Sequence, residues 1–405
     1  MNLFKLSTKS LFNRKFSTLL TLLSIALSTS LLIGIQRVTS STKSSFESTV
    51  SGVDLIVGAR SGSINLLLYS VFRIGNATNN IPHKTFSEIS SNEEVAWTIP
   101  ISLGDSHRGY KVIGTNENYF KHYMYGGDRN LKFQKGDKFA KIDEVVIGSK
   151  VAEQLGYDLG KQIILSHGTS EITFQDHDQI KFKVVGILKP TGTPVDQSLH
   201  VSLKAIEALH IEDYDGSENV RESDVTAFFL KLKSKMSLFD IQRSINDNES
   251  YPLMAIIPSL TLRDLWGTIG VAERILFVVS LMVLLVSLLG MVIALISSLN
   301  ERRREMAILR SMGAHPFEIS FLLVFESVIL AVSGIILGIF IVYGALIASY
   351  PVLEEKMGLS LGLFTFTNTE FVYILIIALS AIVAGLFPAL LAYRTSLSDG
   401  LKVSN

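Results

Sequence analysis

Residues 300–319, NERRREMAILRSMGAHPFEI, form the charged segment around which the rest of the chain is organised. The segment lies between two strongly apolar runs, residues 275–296 (ILFVVSLMVLLVSLLGMVIALI) and residues 321–347. Each run is long enough to cross a hydrocarbon core of about 30 Å, which needs about 20 apolar residues in a helix. The charged segment is therefore predicted to be a short connection that leaves a membrane and returns to it.

Two further runs, residues 16–35 and residues 371–391, meet the same length criterion. Of the 405 residues 48% are apolar and 18% are charged, and the formal net charge is zero. The apolar residues occur in blocks, which is not typical of a soluble domain. We predict an α-helical membrane protein with four transmembrane helices and a large mixed α/β extracytoplasmic domain between helices 1 and 2.

These runs divide the chain into seven predicted segments. They are a cytoplasmic N-terminal helix with the first transmembrane helix (1–36), a periplasmic α/β domain with a stalk (37–270), the second transmembrane helix (271–299), a cytoplasmic coupling helix (300–318), the third transmembrane helix (319–347), a short outer loop (348–370), and the fourth transmembrane helix with a cytoplasmic C-terminus (371–405). The stalk is expected because TLRDLWGTIGVAERIL (261–276) enters the second helix without a breaker, so helices 1 and 2 continue beyond the bilayer.

The distribution of basic residues predicts the orientation in the membrane. Basic residues precede the first helix and fill the connection between the second and third, whereas only Lys356 lies between the third and fourth. These residues are Lys5, Lys9, Arg14, Lys15, Arg302, Arg303, Arg304 and Arg310. Both termini and the charged segment are therefore predicted to be cytoplasmic, and the large domain is predicted to lie outside.

The basic start of the chain resembles a secretory signal, but we predict an uncleaved anchor. The small residues Ala26, Ser28 and Ser30, which have the spacing of a cleavage site, lie inside the apolar run. The chain has no cysteine, so the outer domain must fold without disulfides.

The outer domain is predicted to mix short strands and helices. Strands are expected at residues 183–189 and 227–233, with a rigid turn at PTGTP (190–194). Helices are expected at residues 84–91, 149–156 and 237–247, with Ser149 as N-cap and Gly156 after the last turn of its helix.

The charged segment has two interpretations. It is either a positively charged anchor on the cytoplasmic side or a docking helix for a cytoplasmic partner. In a helix, Arg303 and Arg310 lie on one side and Leu309 and Met312 lie near the other, and Gly313 and Pro316 end it. Such a helix, joined to two membrane helices, is suited to receive a push from a partner.

The order of residues in this segment also carries a resemblance. ERRREMAILRSMGA (301–314) resembles the cytoplasmic signature E-R-R-x-E-[IM]-x-x-L-R-x-[LM]-G-A of the FtsX/MacB-like ABC transporter permeases, the mechanotransmission type also called type VII. Three other stretches are similar to that family: NLFKLSTKSLFNRKFSTLLTLLSIALS (2–28), VVIGSKVAEQLGYDLGKQI (145–163) and FPALLAYRTSLSDGLK (387–402). The resemblance implies the topology predicted above and assigns coupling to the ATPase to Glu301, Arg302, Arg303, Glu305, Leu309, Arg310 and Gly313.

The resemblance also implies the partners and the location. It places the chain in the bacterial inner (cytoplasmic) membrane as a non-catalytic permease subunit that docks on a separate cytoplasmic ABC ATP-binding subunit. ATP and Mg²⁺ then belong to that partner, and this chain binds no cofactor. A second permease copy or a paralogue is expected to complete a dimer. A periplasmic accessory or substrate protein is also expected, and nucleic acid is not an expected partner. Movement of the periplasmic domain would export, extract or activate a periplasmic or membrane substrate whose identity stays open.

A second hypothesis belongs to another class. The chain would be a membrane-anchored periplasmic sensor or scaffold without an ATPase partner, and its charged segment would serve only as an anchor. Three helices after the domain and the specific order of residues in the segment favour the permease.

Three residues within the apolar runs are candidates for special roles. Glu326 is an ionisable group near hydrocarbon, which is costly and often functional, so a coupling or packing role is favoured. Gly334 and Gly338 have the G-x-x-x-G spacing that lets helices approach closely, either within one subunit or between two.

Two features of the outer domain have simple favoured interpretations. The apolar run at residues 53–80 is interpreted as ordinary core, with a surface for membrane, lipid-like substrate or second subunit as the alternative. His177 lies between Asp176 and Asp178, and a solvated loop is favoured there over a metal site.

Enzyme motifs do not support a catalytic chain. GYDLGKQ (156–162) is one residue too short between its glycines for a phosphate loop and lacks Ser or Thr after Lys161. The chain has no G-x-S-x-G, no H-E-x-x-H and no cysteine nucleophile. ATPase activity is therefore expected in a partner chain.

Overall fold

The structure is a computed structural model that describes residues 15–49, 51–167, 180–211, 214, 220–301, 308, 315–357 and 367–394. The chain divides into two compact units. The helical unit comprises Met1–Ser41, Gly270–Pro351 and Gly362–Asn405, and the α/β unit comprises Thr42–Ile269 and Val352–Leu361.

The described residues form long helices at both ends of the chain and short ones between them. The helices are α1 (Lys15–Thr49), α2 (Ser63–Leu67), α3 (His83–Ser90), α4 (Glu117–His122), α5 (Ser149–Leu155), α6 (Leu203–Leu209), α7 (Leu238–Asn246), α8 (Pro258–Glu301), α9 (Pro316–Met357) and α10 (Asn368–Arg394). A π-helical turn, Leu68–Phe72, continues α2, and 3-10 turns lie at Pro194–Gln197 and Lys235–Ser237.

The strands of the described chain all lie in the α/β unit. They are β1 (Leu55–Ala59), β2 (Val95–His107), β3 (Tyr110–Thr115), β4 (Met124–Tyr125), β5 (Arg129–Asn130), β6 (Phe133–Gly136), β7 (Glu144–Ile147), β8 (Gln162–Ile163), β9 (Ser166–His167), β10 (Phe182–Leu188), β11 (Ser198–Ser202), β12 (Ala227–Leu232) and β13 (Leu253–Ile256).

Four helices of the described chain, α1, α8, α9 and α10, are long and apolar enough to cross a membrane. They are apolar around most of their circumference, and bulky side chains such as Val286 and Phe340 are exposed on them. Such helices are typical of a membrane, where lipid covers the outer side chains. The predicted number of transmembrane helices is confirmed.

Two of these helices continue well beyond their apolar runs, as predicted. The helix α1 ends at Thr49, past the apolar run at 16–35, and α8 begins at Pro258, before the run at 275–296. The helix α9 also continues to Met357, so the first part of the predicted loop at 348–370 is helical. Its residues 353–357, LEEKM, are strong helix formers, which explains the extension.

The α/β unit is built on an eleven-stranded mixed sheet with the order β13-β1-β12-β2-β3-β11-β7-β10-β6, in which β8 also pairs with β10 and β9 with β2. The β3/β11 and β7/β10 pairs are parallel and the other pairs are antiparallel. The strands β4 and β5 form a separate ribbon. This mixed α/β architecture confirms the predicted fold class.

Much of the run at residues 53–80, from Leu55 to Phe72, supplies core, which is the favoured interpretation of its sequence, whereas residues 74–80 are mostly exposed. All five residues of β1 are buried, and the strand lies between β13 and β12, second from one edge of the sheet. Leu66, Leu67 and Tyr69, from α2 and the π-helical turn, are buried against one face of that sheet. The membrane-facing or subunit-facing alternative is not needed for these side chains.

The predicted short elements are found within one or two residues, with one error at a helix start. The N-cap of α5 is Gly148, and Ser149 is the first helical residue. A Cβ atom on Gly148 would lie 2.3 Å from the carbonyl oxygen of Asp196, so only glycine fits there. Gly156 ends the helix in the left-handed conformation (φ 65°), as predicted.

The predicted turn at residues 190–194 is held by a carboxylate that the sequence analysis did not single out. Asp196 accepts hydrogen bonds from the backbone N–H groups of Thr191 (2.8 Å) and Gly192 (2.7 Å) and from the Thr191 hydroxyl (2.8 Å). These bonds fix the connection between β10 and β11.

Candidate functional site

The predicted coupling segment lies almost entirely outside the described residues. Glu301 is the last residue of α8, whereas Arg302, Arg303, Glu305, Leu309, Arg310 and Gly313 are outside the described ranges. Their role stays a prediction. The segment is flanked directly by the end of α8 and the start of α9, and His315 donates its backbone N–H to the Glu318 carboxylate (3.1 Å) at that start.

The helical unit contains a buried ion pair that the sequence analysis missed. Arg37 Nη1 in α1 lies 3.3 Å from Glu370 Oε1 in α10, and the two side chains are 5% and 0% exposed. A buried charge near hydrocarbon is costly unless it is paired. This pair therefore fixes the rotation of α1 and α10 relative to one another.

Two more contacts extend the ion pair into a small polar centre. Glu370 Oε2 accepts the backbone N–H of Thr367 (2.9 Å), and the Thr367 hydroxyl accepts the backbone N–H of Glu370 (3.3 Å), which is a capping box at the start of α10. The Arg37 guanidinium lies 5.9 Å from the centre of the Tyr343 ring of α9. Three membrane helices meet at this polar centre, defined as Arg37, Tyr343, Thr367 and Glu370.

The two glycines of the G-x-x-x-G motif pack against α1 of the same chain. A Cβ atom on Gly334 would lie 2.7 Å from Ile25 Cγ2, and one on Gly338 would lie 2.7 Å from the Ala26 carbonyl oxygen. The Ser30 hydroxyl donates to the Gly338 carbonyl (3.0 Å). These contacts lie within one subunit, and a contact of the same glycines between two subunits stays a prediction.

Hydroxyl groups add a second link between the membrane helices. The hydroxyls of Ser28 in α1 and Ser287 in α8 share a hydrogen bond of 2.7 Å, and both are buried. Small polar residues of this kind join helices where lipid supplies no hydrophobic driving force.

Glu326 is 1% exposed, so its carboxyl group faces protein and not lipid. The next residue, Ser327, packs where α9 meets α10: a Cβ atom on Gly385 would lie 2.1 Å from the Ser327 hydroxyl. This burial agrees with the expectation for an ionisable residue in a membrane helix. A role of Glu326 in coupling stays a prediction.

No cluster of histidine and acidic residues that could hold a metal ion is found among the described residues. His177 and its neighbours lie outside those residues. Two other histidines of the α/β unit are buried: His107 contacts the Tyr157 hydroxyl (3.0 Å), and His200 lies 4.8 Å from the Tyr119 ring.

Burial of His200 predicts a pH dependence of stability. Burial lowers the pKa of His200 from its usual 6.5 to about 3. As the pH falls below about 6.5, the unfolded chain binds a proton at this residue and the folded chain does not. We therefore expect the α/β unit to lose about 1.4 kcal/mol of stability per pH unit between pH 6 and 4 from this group. Unfolding followed by tryptophan fluorescence should show a shallower pH slope for His200→Leu, and an unchanged slope would contradict the prediction.

The missed ion pair had a weak sequence signal. Arg37 directly follows the predicted first segment (1–36), and Glu370 directly precedes the predicted fourth helix. Both positions fall in predicted regions outside the membrane, where charges are ordinary. Two opposite charges at the same predicted end of two membrane helices are the signal that could have found them.

Comparisons with known proteins cover most of the chain. Residues 18–248 match the family model of the MacB-like periplasmic core domain, and residues 277–399 match that of the FtsX-like permease C-terminal region. An uncharacterized ABC transporter permease of Methanocaldococcus jannaschii is 25% identical over 383 residues, which are 85% of this chain and 90% of that protein.

Two solved structures are similar to the chain at low identity. The periplasmic region of MacB from Actinobacillus actinomycetemcomitans has a TM-score of 0.36 at 10% identity and covers 54% of this chain and 94% of its own. The extracellular domain of the ABC-type transporter YknZ from Gram-positive bacteria has a TM-score of 0.32 at 15% identity. The match covers 50% of this chain and 98% of that domain.

Proposed function

The chain belongs to the FtsX/MacB-like family of ABC transporter permeases, and from this premise we propose that it couples ATP hydrolysis by a separate cytoplasmic ATPase to movement of its α/β unit. The chain itself is a multi-pass membrane protein. The proposal adds that both termini are cytoplasmic and that the α/β unit is periplasmic, in the inner membrane of a bacterium.

The observation that carries the proposal is the continuity of α8. This helix has 44 residues and runs without interruption from Pro258, in the α/β unit, to Glu301, at the charged segment. At 1.5 Å per residue it is about 66 Å long. A helix of that length supports transmission of a displacement from one end to the other without a pore between the membrane helices.

The charged segment supplies the docking surface in this proposal. Glu301, Arg302, Arg303, Glu305, Leu309, Arg310 and Gly313 would contact the ATP-binding subunit, which holds ATP and Mg²⁺. A second permease copy or a paralogue would complete a dimer. The moving periplasmic units would then export, extract or activate a periplasmic or membrane substrate, alone or with an accessory protein.

Reversing one charge of this segment tests the coupling. We expect Arg310→Glu to lower recovery of the ATP-binding subunit about tenfold, because a like charge would face the partner's complementary surface. The measurement is a pull-down of the tagged chain from native membranes in mild detergent with Mg-ATP and vanadate, with co-purifying proteins identified by mass spectrometry.

The matched control is Arg304→Glu. It makes the same charge change in the same segment, but at the variable position of the E-R-R-x-E pattern, so recovery should stay near the wild-type level. Equal recovery with Arg310→Glu and wild type would refute the docking role of Arg310. Absence of any ATPase, under conditions where a known complex of this type survives, would favour the sensor or scaffold.

A further inference from the structure

The α/β unit contains an open cleft of about 500 Å³ on the face of the sheet that packs against α2. One wall is the loop at residues 75–80, GNATNN, and the other is formed by β2, β3 and Thr226 at the start of β12. This volume is within the range of sites for small organic ligands, about 300–1,000 Å³. The two charged side chains that line the cleft are Arg73 and Lys111.

Arg73 is held in an unusual backbone conformation. It follows the π-helical turn at Leu68–Phe72 and has φ 61° and ψ 22°, the left-handed region that residues other than glycine rarely adopt. Both π-helical turns and strained residues concentrate at functional sites. Arg73 lines the cleft directly after this turn.

The guanidinium of Arg73 is incompletely paired. Its Nη1 donates to the Ser70 carbonyl oxygen, and the guanidinium lies beside the buried Tyr119 hydroxyl. Its Nε is buried and has no hydrogen-bond partner among the described residues. No ion pair of Arg73 is found among the described residues. A partly buried cation without a counter-ion is costly, so an anion from outside would stabilise it.

Lys111 on β3 is likewise a partly buried cation without a counter-ion among the described residues. It is partly buried, and burial lowers its pKa without an opposing carboxylate to offset the effect. In the part of the chain that the structure describes, its ammonium group has neither a hydrogen bond nor an ion pair. Lys111 is therefore a second unpaired cation on the wall of one cleft.

The loop adds neutral hydrogen-bonding groups. Asn76, Thr78 and Asn79 are exposed on it. Asn80 is fixed, because its Oδ1 accepts from the Thr226 hydroxyl (3.1 Å) and its backbone oxygen accepts from the Tyr251 hydroxyl (2.5 Å). Within the described residues, no carboxylate side chain lines the cleft. The nearby Asp224 carboxylate accepts the His83 backbone N–H (3.2 Å).

We propose that this cleft binds the phosphate group of a small phosphate ester, with Arg73 and Lys111 as the cationic contacts and the Asn76–Asn80 loop as neutral donors. A phosphate has enough oxygens to accept from two cations and several amides at once, and arginine is the side chain best matched to it. The same chemistry is presented by a soluble phosphate ester and by a phospholipid headgroup. This site is independent of coupling to an ATPase.

Calorimetric titration of the full-length chain in neutral detergent tests the site. The probes are sn-glycerol 3-phosphate and, separately, phosphatidylglycerol in mixed micelles, with glycerol and phosphatidylcholine as uncharged or zwitterionic references. We expect Lys111→Gln to raise the Kd of the binding probe about tenfold, which is the loss of one charged contact. Lys183→Gln, which removes an exposed lysine from β10 outside the cleft, is the matched control and should bind as wild type does.

The outcomes separate the two sources. Binding of glycerol 3-phosphate that depends on Lys111 supports a soluble phosphate ester, and Lys111-dependent binding of phosphatidylglycerol alone supports a lipid headgroup. Asn79→Asp, which adds a carboxylate to the exposed loop, provides a second variant if Lys111→Gln does not fold, and it should also weaken binding. Binding of neither probe, or equal Kd values for Lys111→Gln and Lys183→Gln, would overturn the proposal.

Discussion

Replacing Arg37 with methionine is expected to destabilise the helical unit by about 3–5 kcal/mol, because it leaves the Glu370 carboxylate buried without its counter-charge. Methionine keeps most of the volume and the unbranched stem of arginine, so lost packing contributes little. Among the described residues, the carboxylate would retain the Thr367 backbone N–H as its hydrogen-bond donor. The measurement is the free energy of unfolding of the purified chain in mixed detergent micelles.

The double variant Arg37→Met with Glu370→Met is the matched control. It removes both charges together, and a buried ion pair replaced by apolar residues of similar size is often close to neutral in stability. We therefore expect the double variant to recover most of the loss. A loss below about 1 kcal/mol for Arg37→Met would contradict the assignment, since that is the range of exposed pairs.

Substituting leucine for Gly338 is expected to disrupt the contact between α9 and α1. The first added atom would lie 2.7 Å from both the Ala26 carbonyl oxygen and Thr29 Cβ, so the helices must separate. Overpacking of this kind costs about 1–3 kcal/mol or more, and the upper end applies because the obstacle includes backbone. Separation would also break the hydrogen bond from Ser30 to the Gly338 carbonyl oxygen. The free energy of unfolding in mixed detergent micelles measures the loss.

The same helix offers a control for this substitution. A Cβ atom on Gly344 has no atom within 4 Å among those described, so Gly344→Leu should leave the free energy of unfolding nearly unchanged. Equal losses for the two variants would remove the packing explanation. If Gly338→Leu keeps the wild-type stability of the single chain but abolishes dimer formation in cross-linking, the glycines serve the subunit contact instead.

The membrane helices could be predicted because their signal is local. The apolar runs at 16–35, 275–296, 321–347 and 371–391 each fall within a long helix of the structure. The extension of α8 beyond the apolar run could also be predicted, because no proline or glycine–proline pair interrupts residues 261–276. An apolar run of about 20 residues identifies a membrane helix by its own length and composition, without reference to tertiary contacts.

Contacts between distant segments explain where prediction failed. Serine is a preferred N-cap residue, which is why Ser149 was predicted at that position. Gly148 takes it instead, because the backbone carbonyls of Val195 and Asp196 pass too close for any side chain. Arg73 follows a helical turn and Lys111 lies on a strand, and no sequence pattern predicts that the two cations line one cleft. In both cases the deciding neighbour comes from another part of the sheet.

The sequence by itself determined that this protein crosses the membrane with four helices, that an α/β domain separates the first two, and that a charged segment joins the second and third. These properties follow from the length, apolarity and order of continuous segments. Only the tertiary structure decided that Arg37 pairs with Glu370, 333 positions away, and that Gly334 and Gly338 pack on α1. Such pairings depend on how each helix is rotated and packed against its neighbours, which no local pattern specifies.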